Sequence, residues 1–356
     1  RLQPSTRMMA MVKAFGYGTG AKEVAQLLEE NRVDYLGVAY IDEGIALRKA
    51  GVSLPIMVMN PESEGIHALI NYQLEPEIYS LKSFRDWMIQ KDRYHLTQPL
   101  KIHLKIDTGM HRVGAAPQLL TELVRHVQEL SPCLALEGIY THFANADEPE
   151  HPANNEQSRL FAEALNQLGH LSQSLKIHSC NSAAAIRFPH ERRSLVRVGI
   201  SSYGLSPGPE LTDDCSDLEP VMSLKARVSH VHVVQPGQGV SYGHRAIAEE
   251  ECVVATIPIG YADGVSRKLW SEGGEVLIGG KRFPMMGVIT MDQLMVNCGP
   301  VGHCQVSVGD EVVFIGKQGS EVITATDWAN ALGTIAYEVT CGIGARIERQ
   351  YVEVHH

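Results

Sequence analysis

Lys13 closes an apolar run, Met8 to Val12, and Gly16, Tyr17, Gly18 and Gly20 follow within a few residues. A lysine on a strand end is ordinarily a solvated rim residue. This one precedes a glycine-rich turn into a helix. Backbone amides in such a turn can approach an anion, and an amine withdrawn from water there loses basicity and becomes a nucleophile. Lysines of this kind form Schiff bases, and pyridoxal phosphate requires both an amine and an anion hole.

Other residues with chemical potential lie downstream. KIHLKIDTGMHR, 101–112, reads as a strand with alternating charge that turns at Gly109. Lys105, Asp107 and Arg112 there form either a surface ion network or a site where a planar guanidinium receives a carboxylate. His142 ends IYTHF, 139–143, as a satisfied core histidine or a catalyst. In HSCNSAA, 178–184, Asn181 and Ser182 suit a helix cap or a phosphate ligand. RVGISSYG, 197–204, supplies Arg197 and the Gly199–Ile200 amides. VSYGH (240–244), PIGYADG (258–264), TMDQ (290–293) and AYEV (336–339) carry tyrosine or Met-Asp, for which turn packing is the simplest reading of each alone.

Positioning these groups requires a repeated scaffold. Eight apolar runs, 8–12, 34–39, 55–59, 74–79, 101–107, 134–143, 176–180 and 194–200, alternate with mostly helical patterns such as 20–31 and 117–130. The pattern predicts an α/β fold, a (β/α)8 TIM-type barrel over 1–215, with chemistry at the C-terminal strand ends. The loops after the seventh and eighth strands then become the natural phosphate site. An open doubly wound sheet is the alternative, weakened because no G-x-G-x-x-G follows the first strand. Beyond the polar stretch Gly208–Glu219, strands follow one another at 221–234, 251–257, 275–278, 281–288, 294–297, 311–316 and 341–352, with one helix at 325–332. This predicts a mostly antiparallel β domain over 216–356.

Composition narrows the function. The 356 residues are 44% hydrophobic and 20% charged, with no run near the ~18 apolar residues of a membrane helix and no signal-peptide pattern. A net charge of −10 argues against nucleic acid as a partner. Seven scattered cysteines without C-x-x-C fit a reducing cytoplasm, and the sixteen histidines show no metal spacing.

The ordered set VKAFGYGTG, KIDTGMHRVG, THFANAD, CNSAAAIRFP, VRVGISSYGLSP, VSYGH, IGYADG, MDQ and YEV resembles the fold-type III, pyridoxal-phosphate-dependent alanine racemases, essentially end to end. The resemblance implies that Lys13 holds pyridoxal 5'-phosphate as an aldimine, with Tyr17, Ser182, Gly199, Ile200 and Tyr337 around its phosphate and Asn181 also among the cofactor-binding residues. It implies that Arg197 faces the pyridine nitrogen, with His142 beside it, and that Lys105 stands where the family often carries a carbamate. Arg112 would bind the substrate carboxylate. Lys13 and Tyr242, the latter from a second subunit with Tyr261, Met291 and Asp292, would be the two opposite-face bases of a cytoplasmic homodimer. Such an enzyme interconverts L-alanine and D-alanine for peptidoglycan. A serine or broad-specificity racemase, and a non-catalytic cofactor-binding barrel, are the rival functions. The wording of MVKAFGYGTG and LPIMVMNPE also resembles racemases fused behind a UDP-N-acetylmuramoyl-tripeptide–D-alanyl-D-alanine ligase. Thr290 departs from the family pattern, which often has cysteine there.

Overall fold

A computed structural model describes residues 2–91, 99–129 and 133–352, with side chains at 87–91 left aside. His355 and His356, open between native sequence and purification tag, lie outside the described residues, as does position 130 of the expected 117–130 helix. The chain divides into two units, Arg1–Leu218 and Glu219–His356.

In the first unit the eight apolar runs become β1 (Arg7–Met11), β2 (Tyr35–Val38), β3 (Ile56–Val58), β4 (Leu74–Ile78), β5 (Leu100–Lys105), β6 (Leu134–Tyr140), β7 (Lys176–His178) and β8 (Leu195–Val198). They pair in parallel in the order β7-β6-β5-β4-β3-β2-β1-β8. Ser194 helps to close the remaining seam. Its hydroxyl accepts from the Ile177 amide at 2.8 Å and donates to the Ile177 carbonyl at 3.1 Å, while Arg197 N–H reaches Cys180 O at 3.0 Å. The result is a near-closed barrel, not the open doubly wound sheet.

Period-two alternation sorts the strand side chains. On β5, Ile102 and Leu104 join Leu36, Ile56, Leu74 and Ile139 in the apolar layer that meets Leu123, Val127 and Phe161 of the surrounding helices. Burying each such side chain contributes roughly 1.5–3 kcal/mol. Lys101, His103 and Lys105, on the opposite face of β5, instead meet charged and aromatic side chains from other barrel strands. The barrel interior therefore holds an ionisable network within an apolar shell.

Among the described residues, all strand pairings in the second unit are antiparallel. One sheet joins His230–Val234, Cys252–Ile257 and Leu294–Pro300; another joins Lys281–Pro284, Glu275–Ile278, Glu311–Gln318 and Glu321–Ile323, with Leu224–Arg227 against Glu311–Gln318. The helix Ala325–Leu332 forms as expected. The run 221–234 splits at Val228 and Ser229, which separate two sheets. No strand forms over 341–352. A helix, Ala336–Cys341, precedes an irregular turn in which Arg349 donates to the carbonyls of Ile343, Gly344 and Ile347, taking acceptors that a ladder would need.

None of the seven cysteines forms a disulfide, and no described helix is long and apolar enough to cross a membrane. Among the described residues no cluster of His, Cys, Asp and Glu could hold a metal ion.

Candidate active site

Past β1 the backbone turns left-handed: Ala14, Phe15, Gly16 and Tyr17 have φ of 53, 56, 61 and 52°. At roughly 1–2 kcal/mol for each non-glycine residue, the turn is strained where the sequence suggested only glycine-assisted bending. Several contacts hold it in place. Gly16 N–H reaches Val12 O at 3.0 Å and Gly20 N–H reaches Phe15 O at 2.9 Å. Glu43, on the helix Ile41–Lys49, accepts from the Ala14 amide at 2.7 Å through one oxygen and from Ala39 and Tyr40 through the other. The Tyr17 ring is buried and stacks on Tyr203 at 4.8 Å, and Tyr203 donates to Met11 O. Lys13 is thereby held half-buried at the C-terminal end of β1.

The loops after β7 and β8 meet beside this turn. The Ser182 hydroxyl accepts from Gly199 N–H at 2.9 Å. A Cβ on Gly199 would lie 2.4 Å from the Tyr17 hydroxyl, so glycine is what admits that hydroxyl. Ser201 and Ser202 carry buried hydroxyls without a protein partner. Asn181 caps the helix Ser182–Arg187, accepting from Ala184 N–H at 3.0 Å and donating to Phe143 O at 3.4 Å.

Arg197, 2% exposed, donates through Nη1 to His178 Nδ1 and O, and through Nη2 to Thr141 O, His142 Nδ1 and Ser179 O. Its Nε–H has no partner, and no carboxylate among the described residues lies within 4.0 Å of it. Burial lowers its basicity, yet guanidinium remains protonated in proteins. It can therefore donate to a neutral ring nitrogen without transferring the proton.

Lys105 is buried over the Tyr140 ring with Glu77 at 3.7 Å, and Tyr140 donates to Glu77. Burial pulls the Lys105 ammonium below its ordinary pKa, against Glu77, and pushes the Glu77 carboxyl up. Lys105, Arg112 and His142 line one cavity. Burial, then Arg197, Arg112, Lys105 and Lys13, hold His142 far below its usual value. The four cations that depress it share one barrel end, so a molecule of net charge −10 carries a cationic mouth.

The expected residues of the second unit gather on neighbouring loops. Tyr261 N–H bonds Thr290 O and Ala262 N–H bonds Met291 O, while Ser241, before Tyr242, donates to Val288 O. Tyr242, Tyr261 and Met291 are 70%, 41% and 52% exposed. Asp292 pairs with Arg346, which also binds Asp263. Tyr337 lies apart from these loops in sequence, on the helix Ala336–Cys341.

Sequence reading passed over His178, Tyr140, Glu77, Glu43 and the two serine hydroxyls. Alternation along KIHLK and IYTHF could have placed His103 and Tyr140 inside the barrel. Nothing in the local sequence marks Glu43 as a ligand of the Ala14 amide.

The mouth has the chemistry to seat a phosphate-bearing cofactor held through an amine: a hydroxyl cradle, an unclaimed buried donor and a strand-end lysine. The family model for the alanine racemase N-terminal domain matches residues 1–207, and that for the C-terminal domain matches 221–351. An alanine racemase of Nostoc sp. is 42% identical over 98% of this chain and 90% of its own length, and one of Synechocystis sp. is 40% identical over 97% and 92%. The crystal structure of alanine racemase from E. faecalis superposes with a TM-score of 0.91 at 36% identity, covering 98% of this chain and 91% of that one. The chain belongs to the alanine racemase family. None of these relatives supports the expected upstream ligase domain.

Proposed function

We propose that the protein interconverts L-alanine and D-alanine, using pyridoxal 5'-phosphate in a cytoplasmic homodimer, and supplies D-alanine for peptidoglycan. The observation that carries this reading is Lys13 sharing one barrel end with the unclaimed Arg197 Nε–H and the serine cradle. When bound, the cofactor withdraws electrons from the substrate's α-carbon and so acidifies its C–H bond.

Lys13 would hold the cofactor through its amine, and Tyr17, Ser182, Gly199 and Ile200 would hold its phosphate. Arg197 would donate to the ring nitrogen, with His142 fixing the guanidinium from the other side. Arg112 would orient the substrate carboxylate bidentately. Lys105, with its depressed basicity, keeps more free amine to react with carbon dioxide, which favours the carbamate reading. Lys13 would then move the α-proton on one face and Tyr242 from a second copy on the other. Exposed Tyr242, Tyr261 and Met291 give that second copy an apolar rim to cover.

Borohydride reduction of the purified protein should fix the cofactor covalently, and peptide mapping should place it on Lys13. Racemisation should be measured with L-alanine and L-serine, with and without added cofactor. An adduct on another lysine, or faster turnover of serine, would overturn the reading.

A further inference from the structure

Behind Arg197 a line of buried polar groups crosses the barrel interior. His178 Nδ1 lies 3.0 Å from Arg197 Nη1, His178 Nε2 lies 3.3 Å from His103 Nδ1, and His103 Nε2 lies 2.9 Å from Glu75 Oε2. Both imidazoles are completely buried and Glu75 is 5% exposed. None of His178, His103 and Glu75 touches a substrate in the mechanism above.

The line has only one consistent proton arrangement. A guanidinium nitrogen can only donate, so His178 Nδ1 must accept and its proton sits on Nε2. That Nε2–H donates to His103 Nδ1, which leaves the His103 proton on Nε2, donating to the Glu75 carboxylate. Each assignment forces the next, from a donor-only group at one end to an acceptor-only group at the other. Packing fixes the rings as well. His178 stacks on Tyr140 at 4.8 Å and meets His103 edge-on at 5.4 Å. Gly138 makes room, since a Cβ there would lie 2.6 Å from His103 Nδ1.

We propose that Glu75 and His103 are positioning residues that lock His178 as its Nε2–H tautomer and thereby orient Arg197 with its Nε–H left for the cofactor. This rests on the racemase reading for the identity of the cofactor. Arg197 lacks a carboxylate of its own, and the two imidazoles connect it to one. If His178 instead carried its proton on Nδ1, an N–H would face a cationic donor and the Arg197 bond would be lost.

Histidine-selective 15N NMR of the wild-type holoenzyme reads the tautomers without turnover, so it stands whatever reaction the enzyme performs. Both His178 and His103 should carry protons on Nε2 alone. A proton on Nδ1 of His178 overturns the proposal without any variant. In turnover, Glu75→Leu and His103→Leu should each lower kcat about tenfold, the size expected of one lost buried hydrogen bond, with KM for alanine within about twofold. Glu75→Gln, which keeps an acceptor oxygen, should recover most of the rate and the wild-type tautomers. If Glu75→Gln behaves like Glu75→Leu with tautomers unchanged, the line does not act through His178.

Discussion

The two ends of the barrel are built on opposite principles. At the N-terminal strand ends, charges are paired: Lys101 reaches Glu75 at 3.8 Å and Glu137 at 3.7 Å, Lys176 binds Glu137, and Tyr35 donates to Glu137 at 3.2 Å. At the C-terminal ends, four cations gather around His142, the first loop is left-handed, and Arg197 Nε and the hydroxyls of Ser201 and Ser202 are buried without a protein partner. One end is finished within the chain. The other is complementary to something anionic, in keeping with the division between stability and chemistry in this barrel architecture.

Breaking the mouth should cost activity and spare the fold. Lys13→Ala should lower alanine racemisation on the order of 10³-fold, the range of one positioned proton-transfer group, with a thermal midpoint close to wild type. A residual rate within tenfold would separate Lys13 from proton transfer. Gly199→Ala should raise the cofactor Kd about tenfold by driving a methyl group into the Tyr17 hydroxyl.

Breaking the floor away from Glu75, which reaches Arg197 through the two imidazoles, should do the reverse. Glu137→Leu strands Lys176 and the Tyr35 hydroxyl and should destabilise the protein by about 1–3 kcal/mol in urea titration, leaving kcat unchanged. The difference should depend on pH. Burial works to raise the Glu137 pKa, but the Lys176 hydrogen bond and charge bring it below its ordinary 4.5. Its contribution is therefore complete above pH 4.5 and is lost as the pH falls through the depressed folded value. A penalty for Glu137→Leu that persists unchanged at pH 3 would show that Glu137 acts by packing. The smallest effect concerns the strained turn: Ala14→Gly should change stability by no more than about 1 kcal/mol, relief of left-handed strain being offset by unfolded-chain entropy.

This contrast was only half visible in the sequence. Strand–helix alternation made the barrel legible, because apolar runs of the right length recur whatever their neighbours do. Lys13, Arg112, His142, Ser182 and Arg197 were legible because they lie near or just past the C-terminal ends of those runs. The connection of His178, His103 and Glu75 was not, since alternation can place a polar residue on the interior face but its partners lie on strands far apart in sequence, four, five and seven, and meet only when the barrel closes. The left-handed turn was hidden for a related reason: Ala14 and Phe15 have no intrinsic preference for it, and Glu43 helps to hold it from the helix Ile41–Lys49, remote in sequence. The misread tail at 341–352 depends likewise on one side chain, Arg349, claiming backbone carbonyls.

The central claim is that the mouth becomes catalytic only when a second copy brings Tyr242 to Lys13. Co-expressing Lys13→Ala with Tyr242→Phe, each inactive alone, tests it most directly. Under two-fold symmetry each heterodimer has one site with both defects and one with neither, and random pairing makes about half the dimers heterodimers, so activity should return to roughly a quarter of wild type. No recovery in verified heterodimers would place both bases within one chain and contradict the shared-site account.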